Sequence, residues 1–386
     1  MYNLFHISLT PFLFETRVLK EVRTASRTTL FNSIYVLALH REGLKKIERI
    51  GEHGILIRIK PILKSNALFK YLVPLTYFEL FIRILWFIPR KRKNILTIHV
   101  ISLLPLAYLI KILRGCKIIY DAHELETHTT NKKLEILLYQ LTEFIFVRFV
   151  DVIVVVNESI RSIYADRFPK KVVYSIYNAP HFKKYKKSDL LRQELLIPDN
   201  KIIFLYQGGL VEGRGIRLIL EAFKLLCFSE YVVVFMGYGE LSSLIKKYAD
   251  SNKNIYHLSA VRPEKLLDYT ISCDYGLSLI ENSCLSYYYC LPNKVLEYLI
   301  CGKPVLVSNL IEQKRLIGNN QLGIVIDEFT IESIIKGIRE IVELDVNLIQ
   351  ENIKLNIYTY TWEAQEKKLI KIYKDILKPN EKKFNG

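Results

Sequence analysis

At 386 residues the chain is longer than a single hydrophobic core readily organises, so two domains are the first expectation. Half of the residues are hydrophobic and 24% are charged, which excludes a disordered chain. The net charge of +16, from 55 Lys and Arg against 39 Asp and Glu, marks a polyanionic partner: nucleic acid, an anionic membrane surface or a phosphorylated substrate. Zinc-finger spacing, basic leucine-zipper pattern and Arg-aromatic RNA motif are all missing, so no nucleic-acid partner is expected. The six cysteines form no CxxC pair and sit mostly beside apolar residues, which favours free buried thiols in a reducing compartment. With no charged, apolar and small-residue leader at the N-terminus, the expected location is cytoplasmic.

In chain order, short apolar runs alternate with helical patterns. Strands are expected at Tyr2 to Ser8, Ile34 to Ala38, Ile55 to Ile59, Ile95 to His99, Lys117 to Asp121, Val152 to Val156 and Val172 to Ile176. Helices are expected at Thr16 to Ala25, Leu103 to Leu113, Lys132 to Arg148 and Glu158 to Arg167. On the first of these, Arg17-Val-Leu-Lys-Glu21 reads as a solvated helical face. Residues 67 to 88 are strongly apolar yet hold Lys70, Glu79, Arg83 and Pro74, and Arg90 to Lys93 follow directly. That charge argues against a spanning helix and for one lying on an anionic bilayer.

The polar stretch Asn178 to Asp189 reads as a linker. Alternation then restarts with strands at Ile202 to Tyr206, Tyr231 to Met236, Asn254 to His257, Tyr275 to Ile280, Val305 to Ser308 and Gly323 to Ile326. Helices are expected at Ile216 to Leu226, Leu241 to Ala249, Glu264 to Tyr269 and Pro292 to Ile300, and from Ile331 and Trp362. Two doubly wound α/β domains follow, with ligands at the carboxyl ends of the strands. The expected boundaries are 1–180, 181–360 and a closing helical segment 361–386.

Chemistry concentrates where strands end. Leu205-Tyr-Gln-Gly-Gly-Leu-Val-Glu-Gly-Arg-Gly-Ile216 is a strand, a glycine-rich turn and a helix start: Gly208 and Gly209 permit close approach, and Arg214 suits a phosphate. Phe235-Met-Gly-Tyr-Gly-Glu-Leu241 repeats that form. Leu291-Pro-Asn-Lys-Val-Leu-Glu297 opens a helix whose unpaired N–H groups attract an anion, with Glu297 one turn in. In the first half, Lys117-Ile-Ile-Tyr-Asp-Ala-His-Glu-Leu-Glu126 ends a buried strand in a cluster of ionisable groups.

The order of these pieces, closing with Gly302-Lys-Pro304, resembles retaining glycosyltransferases of family 4 (group 1), whose GT-B fold sets two Rossmann-like domains facing a cleft. The resemblance implies a glycosyltransferase that moves a sugar from a nucleoside-diphosphate sugar to a saccharide or lipid-linked acceptor in bacterial cell-surface polysaccharide synthesis, on the inner face of the cell membrane. It implies donor binding by Gly208, Gly209, Arg214, Asn293, Lys294 and Glu297. Catalytic positions fall on His123 and Glu281, with His99, Asp121 and Glu124 as acceptor-side candidates. Glu281 stands in for a glutamate that the family places eight residues before Glu297, where this chain has Tyr289, and the loop Asn282 to Cys290 reads as an insertion. A structural His123 capped by Asp121 and a solvated Glu281 are the alternatives. The family's usual cation after the first glycine is replaced by Gly209, which leaves the diphosphate to Arg214 with Arg217 as possible help. No cofactor or metal is expected, since no DxD-type motif is present. A sugar-nucleotide epimerase and a non-catalytic nucleotide-sugar-binding partner are the rival readings.

Overall fold

The structure is a computed structural model that describes residues 1–13, 15–61, 73–90, 92–182, 188–226 and 230–378. Cys227, Lys91, residues 67–72 of the apolar segment and residues 183–187 of the linker lie outside them. Contacts divide the chain into two compact units, Met1–Asn178 with Glu366–Gly386, and Ala179–Gln365.

The first unit is built from β1 (Tyr2–Ile7), α1 (Thr16–Ser26), β2 (Phe31–Leu39), β3 (Ile47–Ile50), β4 (Gly54–Ile59), α2 (Val73–Phe87), β5 (Asn94–Ile98), α3 (Leu104–Arg114), β6 (Lys117–Ala122), α4 (Lys133–Phe146), β7 (Val152–Val155), α5 (Glu158–Arg167) and β8 (Val173–Ser175). Its eight strands run in the order β3-β4-β2-β1-β5-β6-β7-β8. Central strands are continuous buried runs such as Asn94–Ile98 and Val152–Val155, the signature of a parallel sheet covered on both faces. The sequence pattern does not show β3. It is short, charged and antiparallel to β4, pairing Ile47 with Ile57 and Ile50 with Gly54, and it closes the edge with few apolar residues. Helix α5 starts where the Asn157 side chain accepts from the Ile160 N–H.

One expectation fails in this unit. The Arg17 to Glu21 face of α1 is not solvated: Arg17 and Glu21 are both buried, tied into a polar cluster under the sheet's carboxyl end.

The second unit contains α6 (Leu190–Leu195), β9 (Ile202–Gly209), α7 (Ile216–Leu225), β10 (Tyr231–Tyr238), α8 (Ser242–Ser251), β11 (Ile255–Ser259), α9 (Leu266–Thr270), β12 (Tyr275–Ser278), α10 (Leu285–Tyr288), α11 (Asn293–Ile300), β13 (Val305–Val307), α12 (Ile311–Gln313), β14 (Gly323–Val325), α13 (Ile331–Glu343), α14 (Val346–Asn356) and the start of α15 (Trp362–Leu377). The sheet is parallel throughout, in the order β11-β10-β9-β12-β13-β14. The chain winds outward from β9 in one direction and from β12 in the other, so the topological switch point lies at the ends of these two neighbours. Ile219 and Phe223 of α7 and Ile334 and Ile338 of α13 pack with Phe204, Val233, Leu277 and Leu306 in the core beneath it.

Helix α11 is held tightly against the sheet. A Cβ on Gly276 of β12 would lie 2.3 Å from the Tyr298 ring, so only glycine admits that aromatic side chain. The Tyr298 hydroxyl donates to the Leu205 carbonyl at 2.7 Å and accepts from the Gln207 N–H at 3.1 Å, fixing α11 to β9. Trp362 is buried in the second unit, where its N–H donates to the Pro180 carbonyl at 2.8 Å. From Glu366 onward α15 belongs to the first unit, and Tyr373 meets Phe31 edge-on at 5.0 Å.

Candidate active site

At the switch point of the second unit, β9 ends in Gly208 and Gly209 and the chain turns through Leu210 to Gly215 into α7. Gly208 has φ +111°, and a Cβ there would meet the Lys294 side chain at 3.7 Å. Gly215 has φ +69°, and its Cβ would lie 2.4 Å from the Leu279 carbonyl oxygen, so the turn into α7 requires glycine. Gly209 is exposed at the mouth of the turn, and the Tyr206 hydroxyl donates to its carbonyl at 2.9 Å.

Two cations meet at this turn. The Arg214 guanidinium lies 4.4 Å from the Tyr287 ring centroid, and the Lys294 ammonium lies 3.5 Å from that of Tyr206. Burial, reinforced by the neighbouring Arg214 charge, pushes the Lys294 amine well below the ordinary lysine range, while Glu297 opposes that shift. An anion placed here would relieve the repulsion between the two. Lys294 and the exposed Asn293 form the first turn of α11, where Pro292 stands at the N-cap and no side chain caps the helix.

Glu297 is oriented by its surroundings. Its Oε2 accepts from Gln207 Nε2 at 2.6 Å, and Gln207 Oε1 in turn accepts from the Thr270 hydroxyl at 2.8 Å. Gln207 and Thr270 are buried, so the carboxylate is aimed by a fixed relay. Glu281 follows β12, half-buried, with its N–H donating to the Gly213 carbonyl at 3.1 Å, which ties the loop to the glycine turn. Arg217 does not reach the turn's anion position: it is exposed and forked onto Glu212.

Sequence reading missed Tyr206, Gln207, Thr270 and Tyr287. Gln207 precedes the glycine pair directly, a signal available in the motif itself. Tyr287 comes from α10, which lies inside the loop Asn282 to Cys290, and nothing local marks it.

In the first unit, three of the chosen residues form one cluster at the ends of β5 and β6. Asp121 Oδ2 lies 3.0 Å from His99 Nδ1 and 3.0 Å from His123 Nε2, and Arg17 grips the same carboxylate with Nε at 3.0 Å and Nη2 at 2.6 Å. Burial alone would raise the Asp121 carboxyl, but Arg17 and then His123 hold it well below its usual range. An ionised carboxylate only accepts hydrogen bonds, so an imidazole nitrogen bonded to it is a donor, and His99 Nδ1 and His123 Nε2 also lie 3.1 Å from one another. His123 is half-buried and is the most accessible of the three side chains in the cluster. His99 stacks on His6 at 5.3 Å, with His6 Nδ1 3.1 Å from His99 Nε2. Burial lowers both of these histidines, and burial together with Asp121 raises the Glu21 carboxyl. Glu124 is exposed and stands outside the cluster.

Ligand atoms of His6, Glu21 and His99, and of His99, Asp121 and His123, lie close enough together to bracket a metal ion. In the second set, the Asp121 oxygens are already engaged by Arg17.

Residues 187–362 match the family model described as Glycosyl transferases group 1. Among curated relatives, the lipopolysaccharide 1,2-N-acetylglucosaminetransferase of Salmonella typhimurium is 26% identical over 55% of this chain and 58% of its own length. The chitobiosyldiphosphodolichol beta-mannosyltransferase of Kluyveromyces lactis is also 26% identical, over 58% of this chain and 57% of its own length. The chain therefore spans somewhat more than half the length of these relatives. Among solved structures, the sucrose-phosphate synthase of Thermosynechococcus elongatus superposes with a TM-score of 0.78 at 13% identity, covering 97% of this chain and 99% of that one. Anabaena HepE in complex with UDP and glucose superposes with a TM-score of 0.73 at 12% identity, covering 97% and 100%. The fold is that of these proteins: two α/β units, each on a largely parallel sheet.

Proposed function

We propose, from the match of residues 187–362 to the group 1 glycosyltransferase model, that the chain is a glycosyltransferase of this group and transfers a sugar with retention from a nucleoside-diphosphate sugar to a saccharide or lipid-linked acceptor. One observation carries the donor half: Arg214 and Lys294, two cations set against aromatic rings at the switch point, beside the uncapped start of α11. The diphosphate rests on these two side chains and the N–H groups of Asn293 and Lys294, with Gly208 and Gly209 leaving room for it. Glu297, aimed by Gln207, accepts from ribose hydroxyls.

Rate enhancement in this reading comes from stabilising the departing diphosphate, whose growing charge is matched by Arg214 and Lys294. Glu281 stands at the sugar end. His123 faces a sugar hydroxyl, and Asp121 and His99 hold its ring. The charge is supplied by side chains, and the reading needs no metal. The similarity to a lipopolysaccharide and a diphosphodolichol transferase and the basic charge support the rest of the reading: cell-surface polysaccharide synthesis at the inner face of the membrane, on the cytoplasmic side.

The test is a transfer assay over a panel of nucleoside-diphosphate sugars with lipid-linked and free saccharide acceptors, using the native chain and the Arg214→Ala and Glu297→Gln variants. Retained anomeric configuration in the product, with both variants reduced about tenfold or more, is the expected outcome. Activity untouched by both substitutions sinks the catalytic reading, and an inverted product removes the retaining mechanism.

A further inference from the structure

Helix α4 is amphipathic in the reverse sense to a core helix. Leu134, Leu137, Leu138, Leu141, Phe144 and Ile145 recur at helical spacing and are all exposed, Leu134 to 69% and Phe144 to 67%. The residue this helix buries is Glu143, which accepts from Arg167 Nη1 at 2.8 Å and from the Tyr164 hydroxyl. A stripe of this length would normally meet a core, and here it faces outward.

The neighbouring helices continue the surface. The β5-α3-β6 and β6-α4-β7 crossovers advance in the same direction along the sheet, so their right-handedness puts α3 and α4 on one face. Tyr108 of α3 contacts Phe146 of α4, with ring centroids 5.7 Å apart. Arg114 Nη2 at the end of α3 donates to the Leu85 carbonyl of α2 at 3.0 Å. Ile112 of α3 is 60% exposed, and Phe78 and Trp86 of α2 are 61% and 85% exposed. Phe78 and Trp86 also line a groove of about 810 Å³ flanked by Lys46, Lys60 and Arg83. Isolated exposed apolar residues mean little, but here they recur on three adjacent helices of one face.

The rim of the patch is basic. Lys132 precedes α4 and Lys133 opens it, Arg148 follows it, and Arg92 and Lys93 follow α2, all exposed. The acids of these helices are paired: Glu79 with Arg83, Glu143 with Arg167 and, at the surface, Glu135 with Lys132, which leaves Lys133, Arg148, Arg92 and Lys93 to set the charge of the rim. Two copies docked by a two-fold axis through this face would bring like-charged rims together, which disfavours self-association. Among the described residues no helix is long and apolar enough to cross a membrane.

We infer that the α2-α3-α4 face of the first unit is a docking surface for an anionic lipid bilayer, laying the apolar side chains of α4 and α2 at the acyl boundary with the basic rim among phosphate headgroups. It extends the membrane part of the proposed function from segment 67 to 88 to three helices, of which α4 contributes the longest stripe. It rests on that part of the reading alone, since lipid binding involves neither donor nor acceptor.

The experiment is flotation of the full chain with vesicles of phosphatidylcholine, with and without phosphatidylglycerol, at low and high salt. The variants are L137E/F144E on α4 and F78E/W86E on α2, all at exposed positions, with circular dichroism to confirm folding. The native chain should float with phosphatidylglycerol vesicles at low salt, and each variant should lose about tenfold or more in partitioning. Native chain that stays behind at low salt, variants that float as well as the native chain, or binding indifferent to phosphatidylglycerol overturns the assignment. So does a native dimer that the α4 variant makes monomeric without any vesicle binding, which assigns the face to a second copy. Nucleoside-diphosphate binding, measured on the same samples, reports on the donor site separately.

Discussion

Lys294 is a lysine whose surroundings resist its charge, and that resistance sets a pH dependence. Its amine is pushed below 10.5 by burial and then by Arg214. A bound diphosphate would oppose both causes by supplying negative charge, so the proton on the amine is held to higher pH in the occupied site. Binding therefore takes up a proton in the interval between the depressed value and that of the occupied site, and affinity falls as pH rises through it. The same sign applies to folding: the unfolded lysine holds its proton to higher pH, so the destabilising contribution of Lys294 is present at low pH and relieved as pH climbs toward 10.5. Calorimetric titration of UDP in two buffers of different ionisation enthalpy should show this uptake, and a heat independent of buffer would remove Lys294 from the account. At this scale sequence named the charged residues but not their holders. Arg214, Lys294, Glu297, His123 and Asp121 stand in motifs, whereas Tyr287, Thr270 and Arg17 reach them through the fold from distant parts of the chain.

Among the elements, α11 is the part whose placement matters most, and one missing methyl group governs it. Because the Tyr298 ring occupies the space where a Gly276 side chain would stand, Gly276→Ala must displace α11 from β12. We expect a loss of about 1–3 kcal/mol in urea unfolding, accompanied by weaker donor binding because Lys294 and Glu297 ride on the same helix. A variant with native stability and native affinity would show that α11 is not locked to the sheet. Elements were legible where periodicity and length agreed, as in α5, expected and found at Glu158–Arg167. They were not legible where tertiary pairing supplied the reason to form: β3 exists by pairing with β4, and α10 sits in what reads as a plain loop. The α4 stripe shows a further limit. Spacing reveals that a helix is two-faced, but not which face meets the sheet, and a buried Glu143 held by Tyr164 and Arg167 decides it here.

For the whole molecule, the alternation of short apolar runs with helical stretches carried the fold class, because a parallel sheet buried on both faces has few other sequence patterns. The surplus of positive charge was legible as a number but not as a location. Two places where it gathers bear on the account: the switch point, where Arg214 and Lys294 stand, and the border of the α2-α3-α4 face. The first of them bears the central proposal, that the second unit holds a nucleoside diphosphate by Arg214 and Lys294, each set against an aromatic ring. Calorimetric titration with UDP, GDP and ADP tests it most directly, on the native chain and on Arg214→Ala, Lys294→Gln and, as a control, Arg217→Ala. The account predicts that at least one of these nucleotides binds the native chain, that each of the first two substitutions weakens binding by about tenfold to a hundredfold, and that the Arg217 control binds normally. Failure of all three nucleotides to bind, or binding unchanged by loss of Arg214 and of Lys294, would contradict it.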